Sequence, residues 1–334
     1  MNNEYLMERV ISGIRPTGNL HLGNYFGAVK SFVQMQDEYE SMFFIADWHS
    51  LTTHPTPEDI RRSARVILSE YLACGIDPNK APIYIQSDVK EVLELYLYLN
   101  MNAYLGELER VTSFKDKART QPDNVNAGLL TYPCLMAADI LMHKADKVPV
   151  GKDQEQNMEM ARLFARRFNR IYNVEYFKEP ESYHFNKNAV KVPGLNGTGK
   201  MGKSEGNALY LCDDEATIRK KVMRAVTDSG PTQLNQEKPE PIANLFTIMD
   251  LVSSKETYDF FNDAYNNMTI RYGDLKKQLA EDINAFCAPI REKIQEYQAN
   301  QAFLDEVAAA GAEKARQRAA VTIREVREII GFKN

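Results

Sequence analysis

The stretch that decides the fold lies near the start of the chain and reads ERVISGIRPTGNLHLGN over residues 8–24. Residues 8–14 predict a short strand, and residues 13–18 form a turn-rich segment that neither a helix nor a strand would tolerate. A helix is then expected to begin near Gly23. Ligands of open α/β sheets bind where a strand gives way to a helix in this manner.

The same alternation continues along the chain. The apolar run at 42–47 predicts a fully buried strand, residues 56–74 predict a capped helix, and residues 81–86 predict a third strand. This order predicts a parallel sheet with helices on both faces. The expected fold class is therefore α/β, a doubly wound, Rossmann-like nucleotide-binding domain with a helical second domain.

Most of the remaining chain has helical periodicity. Residues 91–118 and 126–143 predict helices, 147–151 predict another strand, and a helix is expected near Asp153. Beyond Leu211 nearly every segment predicts a helix, at 215–226, 241–252, 255–266, 272–286 and 302–330. The expected domains are 1–204, with a helical insertion at about 91–143, then 205–300, and a C-terminal helix in 301–334 that could return to the sheet.

Composition limits the class of protein. The 334 residues are 44% hydrophobic, which is enough for a large core, and no run approaches the roughly 18 apolar residues of a membrane helix. The N-terminus has no export pattern, so a cytoplasmic location is expected. The four cysteines lie far apart, which predicts reduced thiols. A net charge of -5 argues against indiscriminate binding to phosphate backbones, so any nucleic acid must contact local basic patches.

His21 is the first residue with evident chemistry. Gly18 and Gly23 on either side would let a nucleotide approach the backbone closely, and free N–H groups at the start of the helix would attract phosphate. His21 could donate a hydrogen bond to an α-phosphoryl group. Taken alone, the segment fits an ordinary turn with a helix cap equally well.

A second segment, GTGKMGKS at 197–204, places Lys200 and Lys203 on a glycine-rich loop. Lysines on such a loop can follow a departing pyrophosphate and stabilise charge that develops only in the transition state. Taken alone, a solvated surface loop is the simpler interpretation. The presence of both segments in one chain favours the nucleotide interpretation.

The two segments resemble the HIGH and KMSKS signatures of class I aminoacyl-tRNA synthetases, and further segments resemble the tryptophanyl family, of bacterial type. Asn24 replaces the second His of HIGH, and Gly202 stands where the family usually has Ser. The resemblance covers most of the chain. It implies ATP-dependent activation of L-tryptophan and transfer of the product to tRNA(Trp). It also implies the catalytic residues His21, Lys200, Lys203 and Ser204.

A helix face at 132–141 bears on the choice of amino acid. Tyr132, Met136 and Asp139 are spaced i, i+4 and i+7, which places them on one face. In the family this Asp accepts the indole N–H, and tyrosyl relatives have Gln in place of this Met. The alternative is that Asp139 only pairs with Lys144 or Lys147. The tryptophan-binding residues that the resemblance implies are Asp139, Met136, Tyr132, His49, Gln154, Val148 and Val150.

The segment VPVGKDQ at 148–154 resembles a family segment that faces both substrates, although Lys152 occupies a position that is often acidic. Asp153 would accept a ribose hydroxyl, and Gln154 would orient the tryptophan ammonium or carboxylate. His49 could instead be a satisfied structural group, and Lys115 and Lys117 could reach the triphosphate or form a solvated face. The implied ATP-binding residues are Arg15, Pro16, Thr17, Gly23, Asn24, Gly151, Lys152, Asp153, Val192, Lys200, Met201, Gly202, Lys203 and Ser204.

The partners follow from the resemblance. ATP is expected as a substrate with Mg²⁺, which prefers phosphate and water oxygens, so no protein metal site is expected. The family is a homodimer, and no membrane contact is expected. Arginines at 162–170 and cations at 314–327 are candidates for tRNA contact or solvated faces. Three alternatives stay open: a tyrosyl enzyme, a smaller nucleotidyltransferase such as pantothenate synthetase, and a paralogue that only binds ligand.

Overall fold

The computed structural model describes residues 7–151, 154–183, 191–203 and 205–333. The chain divides into two compact units. The first contains residues 1–18, 31–187 and 300–334, and the second contains residues 19–30 and 188–299. The predicted limit at 300 lies one residue from the division after 299, whereas the predicted limit at 204 lies inside the second unit; as limits of functional domains both stay a prediction.

The first unit is built on a parallel sheet. Its strand order is β3-β2-β1-β4-β5, and each neighbouring pair is parallel. The order reverses between β1 and β4, which is the point where doubly wound sheets bind ligands beyond the carboxyl ends of their strands. The predicted fold class is confirmed. The strands are β1 Arg9–Ile14, β2 Glu40–Ile45, β3 Ile83–Ile85, β4 Lys147–Pro149 and β5 Glu181–Tyr183.

Helices account for most of the remaining described residues, and none of these helices is long and apolar enough to cross a membrane. A π-helical turn, Tyr25–Val29, follows α1, and 3₁₀ turns occupy Leu51–Thr53, Gln86–Asp88 and Pro122–Asn124. The α-helices are α1 Leu22–Asn24, α2 Lys30–Glu38, α3 Asp47–Ser50, α4 Pro57–Ala73, α5 Glu91–Met101, α6 Leu105–Leu108, α7 Thr112–Thr120, α8 Ala127–Leu130, α9 Tyr132–Met142, α10 Glu155–Tyr172, α11 Glu215–Met223, α12 Glu240–Val252, α13 Lys255–Asn266, α14 Tyr272–Ala299 and α15 Gln301–Ile330.

Helix α9 is central to the core of the first unit. It packs against α5 and α10, and Ala137, Ala138 and Leu141 on it are almost completely buried. Small residues at two of these positions let the neighbouring helices approach closely, while larger side chains such as Phe164 of α10 fill the space between them. Helix α9, which carries Asp139, is therefore fixed by packing against the neighbouring helices on several sides.

Helix α15 packs on β3 through an unusually close contact. A Cβ atom at Gly311 would lie 1.9 Å from the carbonyl oxygen of Ile83. The same side of the helix carries the small, buried side chains of Ala308, Ala312 and Ala315. Glycine is therefore required here for close approach between helix and strand backbones.

The second unit contains α11 to α14, and α14 packs against α11 and α12. Phe26 stacks on Phe286 of α14 at a ring-centroid distance of 5.3 Å. The backbone of Leu22 donates to Leu209 (2.9 Å), and that of Leu211 donates to Leu20 (3.0 Å). These paired bonds fix the segment that carries His21.

The structure corrects several predicted elements. The insertion at 91–143 is five short helices rather than two long ones. Helix α14 extends past Phe286, through Pro289, to Ala299, because Cys287 and Ile294 continue its buried face. Strand β5 was not predicted, since its side chains are at most half-buried and leave no apolar run.

The close contact of α15 predicts the effect of Gly311→Ala. The added methyl group would overlap the backbone of Ile83, and overpacking of this kind costs about 1–3 kcal/mol. We expect a lower midpoint of urea unfolding. Gly273→Ala in α14 is the matched control, because its Cβ would meet nothing within 4 Å. Equal midpoints for the two variants would contradict the packing described.

Candidate active site

Asp139, His49 and Gln86 form a buried polar cluster in the first unit, and each is at most 3% exposed. His49 lies in α3 just beyond β2, and Gln86 follows β3 directly, so both stand at the carboxyl edge of the sheet. The Nε2 atom of His49 lies 2.8 Å from Oδ2 of Asp139. Gln86 Nε2 donates to the other carboxylate oxygen at 2.7 Å.

The direction of the hydrogen bond between Gln86 and Asp139 is set by the backbone. Gln86 Oε1 accepts from the N–H of Trp48 (3.2 Å), so the amide nitrogen of Gln86 must face Asp139 as a donor. Both carboxylate oxygens of Asp139 thus act as acceptors, and each keeps a lone pair for a further donor. Gln86 was not among the predicted site residues; its place at the end of the third predicted strand was the only signal.

The alternative role of Asp139 is wrong, because the two lysines pair elsewhere. Lys144 binds Glu325 (2.8 Å), and Lys147 binds Glu8 (2.5 Å). His49 packs on the Tyr132 ring with 4.4 Å between centroids. Its Nδ1 is buried without a hydrogen-bond partner among the described residues. If Nε2 donates to Asp139, then Nδ1 is an acceptor to which a ligand could donate a hydrogen bond.

The other residues predicted for tryptophan lie in the same unit. Val148 and Val150 are buried at the end of β4, and Met136 is half-buried on α9. Gln154 precedes α10, and its Oε1 accepts from Asn157 Nδ2 at 2.9 Å. That bond orients the Gln154 amide so that its own N–H groups point away from Asn157.

Two cations stand near the end of β1. Arg15 follows the strand and is half-buried, and Lys117 of α7 lies with its Nζ 5.1 Å from the centre of the Tyr132 ring. Burial lowers the pKa of Lys117, and the charge of Arg15 lowers it further. Neither cation forms an ion pair with the described residues, so an anion would be stabilised beside them. Lys117 is thus more than a solvated surface residue.

His21 is buried in the second unit, 6% exposed, with its ring folded over α1. Its Nδ1 accepts from the backbone N–H of Asn24 (3.3 Å), and Asn24 Oδ1 accepts from the N–H of His21 (3.1 Å). A Cβ at Gly23 would lie 2.9 Å from the His21 ring, so this glycine makes room for it. With Nδ1 as an acceptor, the neutral ring carries its proton on Nε2 and can donate it to a ligand.

The environment keeps His21 neutral. Burial lowers its pKa to about 4, and the positive charges of Lys203 and Lys200 contribute to the shift. The two signature segments are therefore close together in one unit.

The remaining predicted ATP-binding residues are distributed over both units. Met201 N donates to Val192 O (2.9 Å), and Pro193 pairs with Lys200 in an isolated antiparallel bridge, so the lysine loop is folded back on itself. In the first unit, Pro16 is buried and Thr17 and Gly151 are exposed. Lys152, Asp153 and Ser204 lie outside the described residues.

Several candidate tRNA-contacting cations are already engaged. Arg167 is 5% exposed and binds both oxygens of Glu107 at 2.7 and 2.8 Å. Arg318 pairs with Glu40, and Arg327 pairs with Glu94. Arg170, Lys314 and Arg324 are exposed. In the described ranges, no group of three His, Cys, Asp or Glu side chains could hold a metal ion.

Comparison with known proteins identifies the family. Residues 7–288 match the family model of class I tRNA synthetases (W and Y). The chain belongs to this family. Its resemblance to the bacterial tryptophanyl members, predicted from the signature segments, is confirmed.

Two curated relatives and one solved structure show how far the likeness extends. The chain is 71% identical to the tryptophan–tRNA ligase of Porphyromonas gingivalis, over 98% of this chain and 100% of the relative. It is 41% identical to that of Fusobacterium nucleatum, over 98% of each chain. The tryptophanyl-tRNA synthetase of Campylobacter jejuni, complexed with ADP and tryptophane, is 36% identical with a TM-score of 0.88, covering 97% of this chain and 100% of that one.

The electrostatics of His21 give a testable prediction. Its side chain should titrate near pH 4 in a nuclear magnetic resonance experiment, and Lys203→Ala should raise the midpoint because one nearby positive charge is gone. Between pH 6.5 and 4 the unfolded chain binds the proton more readily, so the contribution of His21 to stability falls as pH falls through this window. A midpoint near 6.5 in the unmodified protein would contradict the assigned burial.

Proposed function

We propose that this protein is a tryptophan–tRNA ligase, which activates L-tryptophan with ATP and transfers the aminoacyl group to tRNA(Trp). The observation that carries the proposal is the buried Asp139 carboxylate, which keeps acceptor capacity for an indole N–H in a chain of this family. Phenylalanine cannot supply that donor. An unpaired buried acceptor costs about 1–3 kcal/mol, and more if it is charged, so the pocket discriminates without a proofreading step.

The amino acid is held by residues of the first unit. Met136, Val148 and Val150 supply apolar contacts for a large ring, and Asp139 accepts the indole N–H. His49 positions that carboxylate through its Nε2 bond. Gln154 presents its amide N–H groups to the substrate carboxylate.

The chemistry requires little covalent work from the protein. A carboxylate oxygen of tryptophan attacks the α-phosphorus of ATP, the bond between that phosphorus and the bridging oxygen of the β-phosphoryl group breaks, and pyrophosphate leaves. His21 Nε2–H donates to an α-phosphoryl oxygen, while Lys200 and Lys203 stabilise charge on the leaving group. A ribose hydroxyl of the tRNA then attacks the activated carbonyl and AMP leaves. Catalysis is positioning and electrostatic stabilisation, as in other phosphoryl transfers.

Mg²⁺ accompanies the nucleotide in this proposal. It prefers phosphate and water oxygens, and no group of metal-ligating side chains gathers in the described part of the chain, so its ligands come chiefly from the substrate. That the protein supplies no metal site of its own stays a prediction. Arg15 and Lys117 of the first unit are further candidates to bind phosphate oxygens, since they stand together without a described ion pair.

The assembly and location are also proposals. We propose a cytoplasmic homodimer, with residues 1–204 as the catalytic domain and 205–300 on the tRNA side. A face of exposed apolar side chains on α5, namely Leu93, Leu97 and Met101, is consistent with contact to a second copy. Among the candidate cations at 162–170 and 314–327, Arg170, Lys314 and Arg324 are exposed, and we propose them for contact with tRNA.

The direct test is exchange of labelled pyrophosphate into ATP, followed by charging of tRNA(Trp). We expect exchange that depends on tryptophan, with tyrosine a poor substitute, because a phenol cannot place a donor at the indole position. Preference for tyrosine would favour the tyrosyl alternative. Absence of any exchange would leave a protein that only binds ligand and would end the proposal.

Asp139→Asn tests the pocket. The amide presents one donor towards His49 or Gln86 and loses the charge that attracts the indole N–H, so we expect the KM for tryptophan to rise about tenfold or more. Asp305→Asn on α15 is the control, because Asp305 is an exposed carboxylate. A variant with an unchanged thermal unfolding midpoint and an unchanged KM would remove Asp139 from the pocket.

A further inference from the structure

Asn207 is a buried polar residue, 5% exposed, that follows the lysine loop in the second unit. Its side chain forms three hydrogen bonds. Oδ1 accepts from the backbone N–H of Gly202 at 2.9 Å. Nδ2 donates to the backbone oxygen of Lys200 at 3.3 Å and to Oδ1 of Asn196 at 3.0 Å.

These bonds leave one possible orientation of the amide. The backbone N–H of Gly202 requires an acceptor, so Oδ1 must face it and the two N–H donors must face Lys200 and Asn196. Asparagine alone supplies this combination at this length. Aspartate would keep the bond to Gly202 and lose both donors, and alanine would lose all three bonds.

The fold makes room for this side chain. A Cβ at Gly194 would lie 2.0 Å from Asn207 Nδ2 and 2.6 Å from its Cγ. In addition, the backbone N–H of Leu195 donates to the backbone carbonyl oxygen of Asn207 at 3.3 Å. Only glycine at position 194 therefore leaves room for the Asn207 side chain, and Gly194 lies just before the lysine loop in the chain.

The two backbone atoms that Asn207 binds flank Met201, which is itself buried and bonded to Val192. Lys200 lies on one side of this fixed point and Lys203 on the other. Position 202 holds Gly where the family signature has Ser, so no side chain at that position can stiffen the loop. The Asn207 side chain instead fixes the backbone on both sides of Met201, in addition to the backbone bond from Met201 to Val192.

We propose that Asn207 is a positioning residue, which fixes the backbone of the lysine loop so that the Lys200 and Lys203 ammonium groups meet the leaving pyrophosphate. This inference rests on the proposed function. Asn207 touches no reacting atom; it acts through the two lysines. Its loss should therefore slow adenylate formation and leave tryptophan binding unchanged, because the residues proposed for tryptophan belong to the first unit.

The test compares Asn207→Ala and Asn207→Asp in the full-length protein. We expect single-turnover adenylate formation to slow by about tenfold or more, with alanine slower than aspartate, since misplaced electrostatic groups lose much of their effect. The dissociation constant for labelled tryptophan in equilibrium dialysis should stay within about twofold. The pKa of His21, followed by nuclear magnetic resonance, should move up towards 6.5 as the lysines leave it.

Gly194→Ala provides an independent variant, because its methyl group would displace the Asn207 amide without changing that residue. Gly194→Ala should give the same pattern of slower activation, intact tryptophan binding and a raised His21 pKa. If the Asn207 variants do not fold, this variant tests the positioning role of Asn207 in their place. Asn267→Ala, at an exposed position after α13, is the control.

Three results separate the possible failures. If the unmodified protein shows no tryptophan-dependent exchange, the proposed function fails. If it does, and folded Asn207→Ala or Gly194→Ala activates tryptophan at the normal rate, the positioning role is wrong. Loss of tryptophan affinity in parallel with rate would also overturn it, since a general structural defect would then explain both.

Discussion

The constraint on which the first unit depends is the burial of the Asp139 carboxylate. Removing a charge from water costs several kcal/mol unless hydrogen bonds replace the lost hydration. Here the replacement comes from two different strand ends, through His49 beyond β2 and Gln86 after β3. The packing of α9 against α5 and α10 holds the carboxylate where both donors reach it. The parallel sheet thus determines the position of a single charge.

In the second unit, the main electrostatic feature is the effect of two lysines on the protonation of His21. Two lysines of one loop stand close enough to His21 to disfavour its protonation, and burial acts in the same direction. The bond from Asn24 N to Nδ1 then fixes which ring nitrogen carries the proton. The result is a neutral donor beside positive charge, an arrangement suited to an anionic ligand. Cations and donors are already oriented before any ligand arrives, so little reorganisation is needed during reaction.

The sequence predicted the fold class well, because three apolar runs separated by helical segments leave few topologies. It also predicted roles for His21, the lysine loop and Asp139, since turn glycines and helical spacing are local signals; these roles stay predictions. Gln86 and Asn207 were not predicted. Gln86 is a polar residue whose role depends on Asp139, a partner distant in the chain. Asn207 belongs to a loop, whose fold leaves no periodic pattern in the sequence. Strand β5 and the breaks in the 91–143 helices were missed for a similar reason: tertiary packing, not local pattern, decides them.

The central claim is that a buried acceptor on α9 recognises the indole N–H. It can be tested directly in the unmodified protein with an analogue of tryptophan in which sulfur replaces the indole nitrogen, so that shape is kept and the donor is lost. The measurement is the dissociation constant of each ligand by isothermal titration calorimetry. We expect the analogue to bind about tenfold or more weakly than tryptophan, since each 1.4 kcal/mol corresponds to tenfold. Equal affinities would contradict the account.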